Sequence, residues 1–259
     1  MRVHVALTPG EFSDAPLADR TAFAVDVLRA TTAAVAACEA GCRRLVPVPD
    51  AAAAEAIAAR DGADIVLAGE RSGEAIAGFD LGNSPAEFTP ARVAGRMVVL
   101  TTTNGTAAML TAARAAAAGL AALTNVSAAA RWALRQERDV TILCAGDSGA
   151  LALEDVVCAG LLVARLAAGA PGATLSDGAA AALALGRHYE TKLDRIGRDS
   201  RWALKLRGIG READLAFCLR ADVSTVVPVF SAGGFASARE GAVGLAATGR
   251  AGAHPGAGA

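Results

Sequence analysis

Residues 24–34 read AVDVLRATTAA, an acid and an arginine three apart in an otherwise apolar or small-residue run. Charges are rarely placed in such company unless they are paired, exposed or used. Three further clusters mix the same residue types. Gly69-Glu70-Arg71 is one, Thr102-Thr-Asn-Gly-Thr106 another, and the third is AGDSG at 145–149 with Glu154 and Asp155 soon after. Carboxylates beside hydroxyls, amides and arginine suit a hard divalent cation bound next to an anionic substrate. Mg²⁺ in such a place would neutralise phosphate charge and lower the pKa of an attacking water. Arginine and helix N–H groups would stabilise the oxygens of a phosphoryl group in transfer.

Each cluster also has an ordinary reading. Asp26 and Arg29 could be a simple ion pair. TTNGT could be a turn with a helix cap, and Glu154 and Asp155 could only oppose a helix dipole. What joins the clusters is their place along the chain. Apolar β-branched runs at 3–7, 22–27, 44–48, 64–68, 96–101, 120–124, 140–144 and 226–230 read as strands. Ala-rich segments at 30–40, 51–60, 106–117, 127–136, 153–167 and 176–189 read as helices. This alternation predicts one α/β domain over residues 1–238, a predominantly parallel sheet covered on both faces. Each polar cluster follows a strand, and ligands of open parallel sheets bind beyond the strands' carboxyl ends. Two stretches interrupt the alternation. Residues 69–90 are polar and Gly-rich, too long for an idle connection. Residues 187–211 are the most charged part and read as a flap or surface helix pair. The Gly/Ala-rich end, 239–259, reads as a disordered tail.

Composition narrows the function. The 259 residues are 53% hydrophobic and carry a net charge of −1 with no basic block, which argues against nucleic acid or a membrane surface as partner. No apolar run reaches the ~20 residues of a membrane span and no signal peptide opens the chain, so cytoplasmic residence is expected. Five cysteines, odd in number and in apolar segments, read as reduced thiols. Lys occurs only at 192 and 205, so most basic residues are arginine by compositional bias. With three histidines, none near the clusters, acid–base work falls to carboxylates. Cys38 to Arg44 fits the C-x5-R spacing of cysteine phosphatases, but Cys38 sits near a helix end rather than after a strand. The chain has neither a G-x-x-x-x-G-K-[ST] loop nor a strand leading into G-x-G-x-x-G, which counts against nucleoside triphosphate hydrolysis and nicotinamide chemistry.

The stretches VDVLRATTAA (25–34), LAGERSGEAIAGFDLGNSPAEFTP (67–90), VVLTTTNGTAAM (98–109), CAGDSGALALEDVVCAG (144–160) and DLAFCLRADVSTVVPVF (214–230) resemble, in order, the 2-phosphosulfolactate phosphatase family. The resemblance implies a three-layer α/β/α fold with a parallel or mixed central sheet. It also implies a Mg²⁺-dependent hydrolysis of 2-phospho-3-sulfolactate to sulfolactate and phosphate, a step toward coenzyme M. The positions it carries over are Asp26, Arg29, Glu70, Arg71, Asp80, Asn83, Thr103, Asn104, Gly105, Thr106, Glu154 and Asp155. From charge and position, Asp26, Glu70 and Asp155 are expected to hold Mg²⁺, directly or through water. Arg29, Arg71, Asn83 and the loop Thr103, Asn104, Gly105, Thr106 are expected to hold the anionic groups of the substrate. Asp26, Asp80 and Glu154 are expected to take part in catalysis, through the water or the leaving oxygen. Water and a carboxylate stand equally as nucleophile, and a homo-oligomer is compatible with the sequence. One departure stands out: the family pattern has Ser-Arg-His-Gly where this chain reads Ser200-Arg201-Trp202-Ala203. If that histidine touches substrate, another small anionic 2-phospho acid becomes the alternative; if it only packs, nothing changes. An anion-binding protein without catalysis would keep TTNGT and lose the carboxylates, which this chain retains.

Overall fold

The structure, a computed structural model, describes residues 1–62 and 64–238; the expected tail at 239–259 lies outside them. Eleven strands form one sheet: β1 (Arg2–Ala6), β2 (Thr21–Val25), β3 (Arg44–Pro47), β4 (Ile65–Arg71), β5 (Glu74–Ala75), β6 (Met97–Thr101), β7 (Ala117–Ala121), β8 (Val140–Cys144), β9 (Thr174–Leu175), β10 (Pro228–Ser231) and β11 (Gly234–Ser237). The helices are α1 (Ala30–Glu39), α2 (Ala51–Asp61), α3 (Pro90–Val93), α4 (Gly105–Ala112), α5 (Val126–Arg135), α6 (Leu153–Gly169), α7 (Asp177–Tyr189), α8 (Ile196–Asp199), α9 (Arg201–Gly208) and α10 (Glu212–Cys218).

Strand order is β5-β4-β6-β3-β11-β10-β7-β2-β8-β1-β9. The strands β4, β6 and β3 are mutually parallel, as are β7, β2, β8, β1 and β9. Between these two halves runs the antiparallel hairpin β10–β11, turning through Ala232 and Gly233, both at positive φ. It touches each half at one residue pair, Phe235 with Leu45 and Val229 with Gly119. Three antiparallel steps separate β3 from β7, so the two halves run in opposite directions along the sheet. The sheet is mixed and mostly parallel, as expected.

Alternation along the strands sorts the core into layers. Ala22 and Ala24 face one cluster with α1 and α4; Phe23 and Val25 face another with α5, α6 and α7. On β6, Val98 and Leu100 join the α1–α4 cluster while Val99 meets Ala54 of α2. The result is a three-layer α/β/α arrangement. Small side chains allow α1 to sit deep, with all but two of its ten residues buried. Gly160 does the same for the α6–α7 crossing, where a Cβ would stand 1.8 Å from the Ala182 carbonyl oxygen.

Three boundaries differ from the sequence reading for local reasons. The helix expected to reach Ala117 stops at Ala112, and the Ala-rich run 117–121 becomes a strand between β2 and β10; burial in the sheet overrides alanine's helix preference. The next turn is fixed by Asn125, whose Oδ1 accepts the Ala122 N–H at 2.9 Å. The stretch 69–90 is not wholly irregular: β4 runs on to Arg71 and folds back on β5. Residues 193–218 form a short 3₁₀ turn and α8 to α10 rather than a single pair.

Candidate active site

β2 is buried along its length and is followed at once by Asp26. Thr31 locks the turn that follows. Its hydroxyl accepts the Asp26 N–H at 3.0 Å and lies 2.8 Å from the carbonyl oxygens of Asp26 and Ala121. Thr32 donates to the Val27 carbonyl at 2.8 Å. Asp26 Oδ1 accepts the Ala30 N–H at 3.0 Å, which fixes the carboxylate at the start of α1. Its other oxygen faces Gly105, the first residue of α4. A Cβ there would meet both Asp26 Oδ2 and Ala30 Cβ at 2.4 Å, so this close approach of two helix starts demands glycine.

Glu70, near the end of β4, is held by three donors. Oε1 accepts the Thr103 N–H at 2.7 Å; Oε2 accepts the Gly73 N–H at 2.7 Å and the Thr103 hydroxyl at 3.2 Å. Asp155, in the first turn of α6, clamps two loops: Oδ1 accepts the Val27 N–H at 2.8 Å and Oδ2 the Gly146 N–H at 3.0 Å. Its neighbour Glu154 accepts the Ser200 hydroxyl at 2.7 Å. All four acids are buried, and they act on one another. Burial pushes the Asp26 carboxyl up to about 7, the Glu70 and Glu154 charges add to the rise, and the Ala30 N–H and Arg29 oppose it. Burial, with Asp26 and Glu154, drives Asp155 well above the carboxylate range, and burial raises Glu154.

Arg29 is the buried cation among them, and it is already engaged. Nη1 meets Asp214 Oδ2 at 2.5 Å, Nη2 donates to the Gly73 carbonyl at 2.8 Å, and Asp214 Oδ1 takes the Ser84 hydroxyl at 2.5 Å. Asp26, Arg29, Glu70, Asn83 and Asn104 line one cleft of about 240 Å³, with Leu28 and Trp202. Asn83 is buried there and its Oδ1 has no hydrogen-bond partner. Asn104 Oδ1 accepts the Ser148 N–H at 3.3 Å, tying α4 to the loop after β8. Thr106 N–H donates to the Thr102 hydroxyl at 3.1 Å and caps α4.

Two expected members stand apart. Arg71 is exposed; its guanidinium donates to the Glu70 carbonyl and the Thr101 hydroxyl. Asp80 is exposed and its carboxylate accepts the Leu67 N–H at 2.8 Å, a brace for β4 rather than a cleft group. The structure adds groups that sequence reasoning did not select: Asp214, Ser84, Ser200, Asp147 and Arg201. Asp147 pairs with Arg201 at 2.6 Å. It stood in the quoted AGDSG stretch after β8, so the position relative to the strand was the signal for it. Asp214 opens the quoted stretch 214–230, but nothing local tied it to Arg29, 185 residues away. Cys38, in the last turn of α1, lies 3.8 Å from Cys42 Sγ and away from any strand-to-helix anion loop.

Mg²⁺ asks for hard oxygen donors. Among the described residues, no three acidic, histidine or cysteine side chains already converge on one point as a cage. Mg²⁺ does not require one; it is commonly held by one or two carboxylates and keeps several waters. Asp26 Oδ2 and Asn83 Oδ1 are cleft oxygens without a hydrogen-bond donor, and both are hard ligands that fit the ion. Glu70 and Asp155 already accept N–H donors at both oxygens, so they suit a supporting role through charge and water.

A family model described as 2-phosphosulpholactate phosphatase matches residues 6–233. Among curated relatives, a protein of Thermus thermophilus named "Probable 2-phosphosulfolactate phosphatase" is 44% identical over 88% of this chain and 94% of its own. Proteins of the same name from Symbiobacterium thermophilum and Deinococcus radiodurans are each 39% identical; they cover 84% and 90% of this chain and 94% and 95% of their own. With a match that runs from the end of β1 into the turn of the β10–β11 hairpin and takes in every cleft residue, the chain belongs to the 2-phosphosulpholactate phosphatase family.

Proposed function

We propose that this protein is a Mg²⁺-dependent phosphatase that hydrolyses 2-phospho-3-sulfolactate to 3-sulfolactate and phosphate in the cytoplasm. The observation that carries this reading is the charge imbalance of the cleft. Two buried carboxylates, Asp26 and Glu70, line it with one arginine that Asp214 already holds, and two more, Glu154 and Asp155, act on one another and on Asp26 from behind. Uncompensated buried charge of that kind is costly, and a divalent cation with an anionic guest would relieve it. Asp26 and Asn83 would hold the ion, with Glu70 and Asp155 behind them. When bound, Mg²⁺ would supply charge neutralisation on the phosphate and a more acidic water.

The chain's own residues would do the rest. N–H groups at the start of α4 would receive phosphoryl oxygens. Arg29 is held rigid by Asp214 and Gly73 and supplies a fixed positive pole. Glu154, oriented by Ser200, would exchange a proton with the water or the leaving oxygen. With Asp80 turned to β4, Glu154 is the stronger of the two candidates.

Phosphate release from phosphosulfolactate, phospholactate and phosphoglycerate, each with Mg²⁺ or with chelator, tests the reading. Fastest release from phosphosulfolactate, lost on chelation, is expected; activity indifferent to chelator overturns the metal assignment. One observation favours a second reading. Trp202 lines the cleft and carries Lys205 Nζ 4.3 Å from its ring centroid. A faster reaction with another small anionic 2-phospho acid would assign Trp202 to that selectivity.

A further inference from the structure

The amino ends of β1 and β2 lie at the other end of their strands from Asp26, and a second depression opens there. It has about 480 Å³ of space, open solvent included, and is lined by Arg2, His4, Arg20, Thr174 and Ser176, with Val3, Pro16 and Leu175. Arg2 and His4 alternate onto one face of β1. Register explains how the arginines meet: Val3 and Thr21 both pair with Val140, so Arg2 and Arg20 flank Asp139 from either side.

Asp139 serves the two unequally. Arg2 holds it with its backbone N–H at 2.7 Å and Nε at 2.6 Å. Arg20 is the more deeply buried arginine, its side chain only 13% exposed, yet its nearest Asp139 contact is 3.7 Å. Among the described residues, the guanidinium's one hydrogen bond, Nη1 to the Val140 carbonyl, is 3.5 Å long. A guanidinium carries five N–H donors, and most of these stay unused. The remaining polar groups of the lining also donate. Ser176 Oγ accepts the Ala179 N–H at 3.2 Å and the Val5 N–H at 3.5 Å, which leaves its own hydrogen free, and the Thr174 hydroxyl has no partner among the described residues. Burial and the Arg20 charge both lower the His4 pKa against an opposing pull from Glu11, a sign that the positive field of Arg20 reaches across the depression.

We propose that this depression is a second ligand site, one that takes a small organic oxyanion (a carboxylate, sulfonate or phosphate) on the fork of Arg20 with Ser176 and Thr174 as further donors. A lining rich in donors selects an acceptor-rich guest, and a guanidinium that only shares a carboxylate with Arg2, at 3.7 Å, selects a charged one. The site is independent of the reaction proposed for the acidic cleft.

The test is titration of the full chain with sodium selenate, read by NMR at Arg20 Nε–H and the His4 ring, with sodium chloride at equal ionic strength as control. A second arm is the anomalous selenium signal in soaked crystals. Saturable, millimolar shifts at both groups are expected, with a selenium peak against Arg20 and roughly tenfold weaker binding in Arg20→Gln. Thr174→Val, an exposed edge position, gives a second readout with weaker binding if Arg20→Gln fails to fold. No local response, an equal response to chloride, a peak at crystal concentration only, or unchanged binding in both variants overturns the proposal.

Discussion

The two ends of β1 and β2 present opposite chemistry on one scaffold. Beyond the carboxyl end, four buried acids act on one another, and the arginine beside Asp26 and Glu70 is already claimed by Asp214. At the amino end, Arg20 is mostly buried and Asp139 is claimed by Arg2. One end is short of positive charge and the other of negative charge. What separates them is the supply of backbone groups. N–H donors from the turns after β2, β4, β6 and β8 converge on the cleft and hold its carboxylates in place. No comparable set of free acceptors meets Arg20.

The sharpest way to break the comparison is Asp26→Asn, which removes the cleft's least-bonded carboxylate charge while keeping its shape. Turnover should fall by at least ~10²-fold with an unchanged circular dichroism spectrum; near-normal turnover in a folded variant would take Asp26 out of the mechanism. Gly105→Ala comes next. Its methyl group would press on Asp26 Oδ2 and Ala30 Cβ, and a misplacement of that carboxylate should also cost on the order of 10²-fold in kcat, with overpacking costing about 1–3 kcal/mol in urea unfolding. Asp214→Ala probes the paired arginine. It strands Arg29 in a buried site, so a loss of about 3–5 kcal/mol is expected, well above the ~1 kcal/mol or less for removing Asp139 from exposed Arg2.

Acidity gives a finer cut. The carboxyls of Asp26, Glu154 and Asp155 are all raised in the folded chain, so the folded state binds more protons than the unfolded one above the ordinary carboxylate range. For Asp26 that range runs from 3.8 to about 7. Stability of the metal-free protein should therefore fall as pH rises through this window, and excess Mg²⁺ should flatten the slope. Melting temperatures across the window, with and without Mg²⁺, decide it; a rising or flat metal-free curve refutes the burial reading. The smallest effect belongs to the amino end, where Arg20→Gln should leave turnover on any active ester within about twofold, as surface changes away from a site do.

Much of this was legible in the sequence, and the limits are physical. Asp26, Glu70, Asn104 and Asp155 were readable because each follows an apolar strand run, and a strand's end can be seen locally. Arg29 was readable as a residue but not as a role, since its partner Asp214 arrives on α10, a short helix that no periodic pattern announces. Asp80 looked like a cleft acid because its neighbours are polar; only the register of the 69–90 stretch reveals that it bonds Leu67. The opposed directions of the two half-sheets were invisible too, because β11 is four residues long and long-range pairing decides where it inserts. Trp202 is the converse case: a departure in the sequence gained a meaning once the cleft placed it in its wall.

The hairpin that meets each half at a single residue pair has a consequence for how the chain can be divided. Residues 44–106 form one uninterrupted stretch that supplies Glu70, Asn83 and the start of α4. Asp26, Glu154, Asp155 and Asp214 all come from the chain on either side of it. The arrangement is that of a cassette seated in a host: neither alone has both jaws of the vice, and a protein cut at the borders of that stretch would regain its grip only when the pieces find each other again.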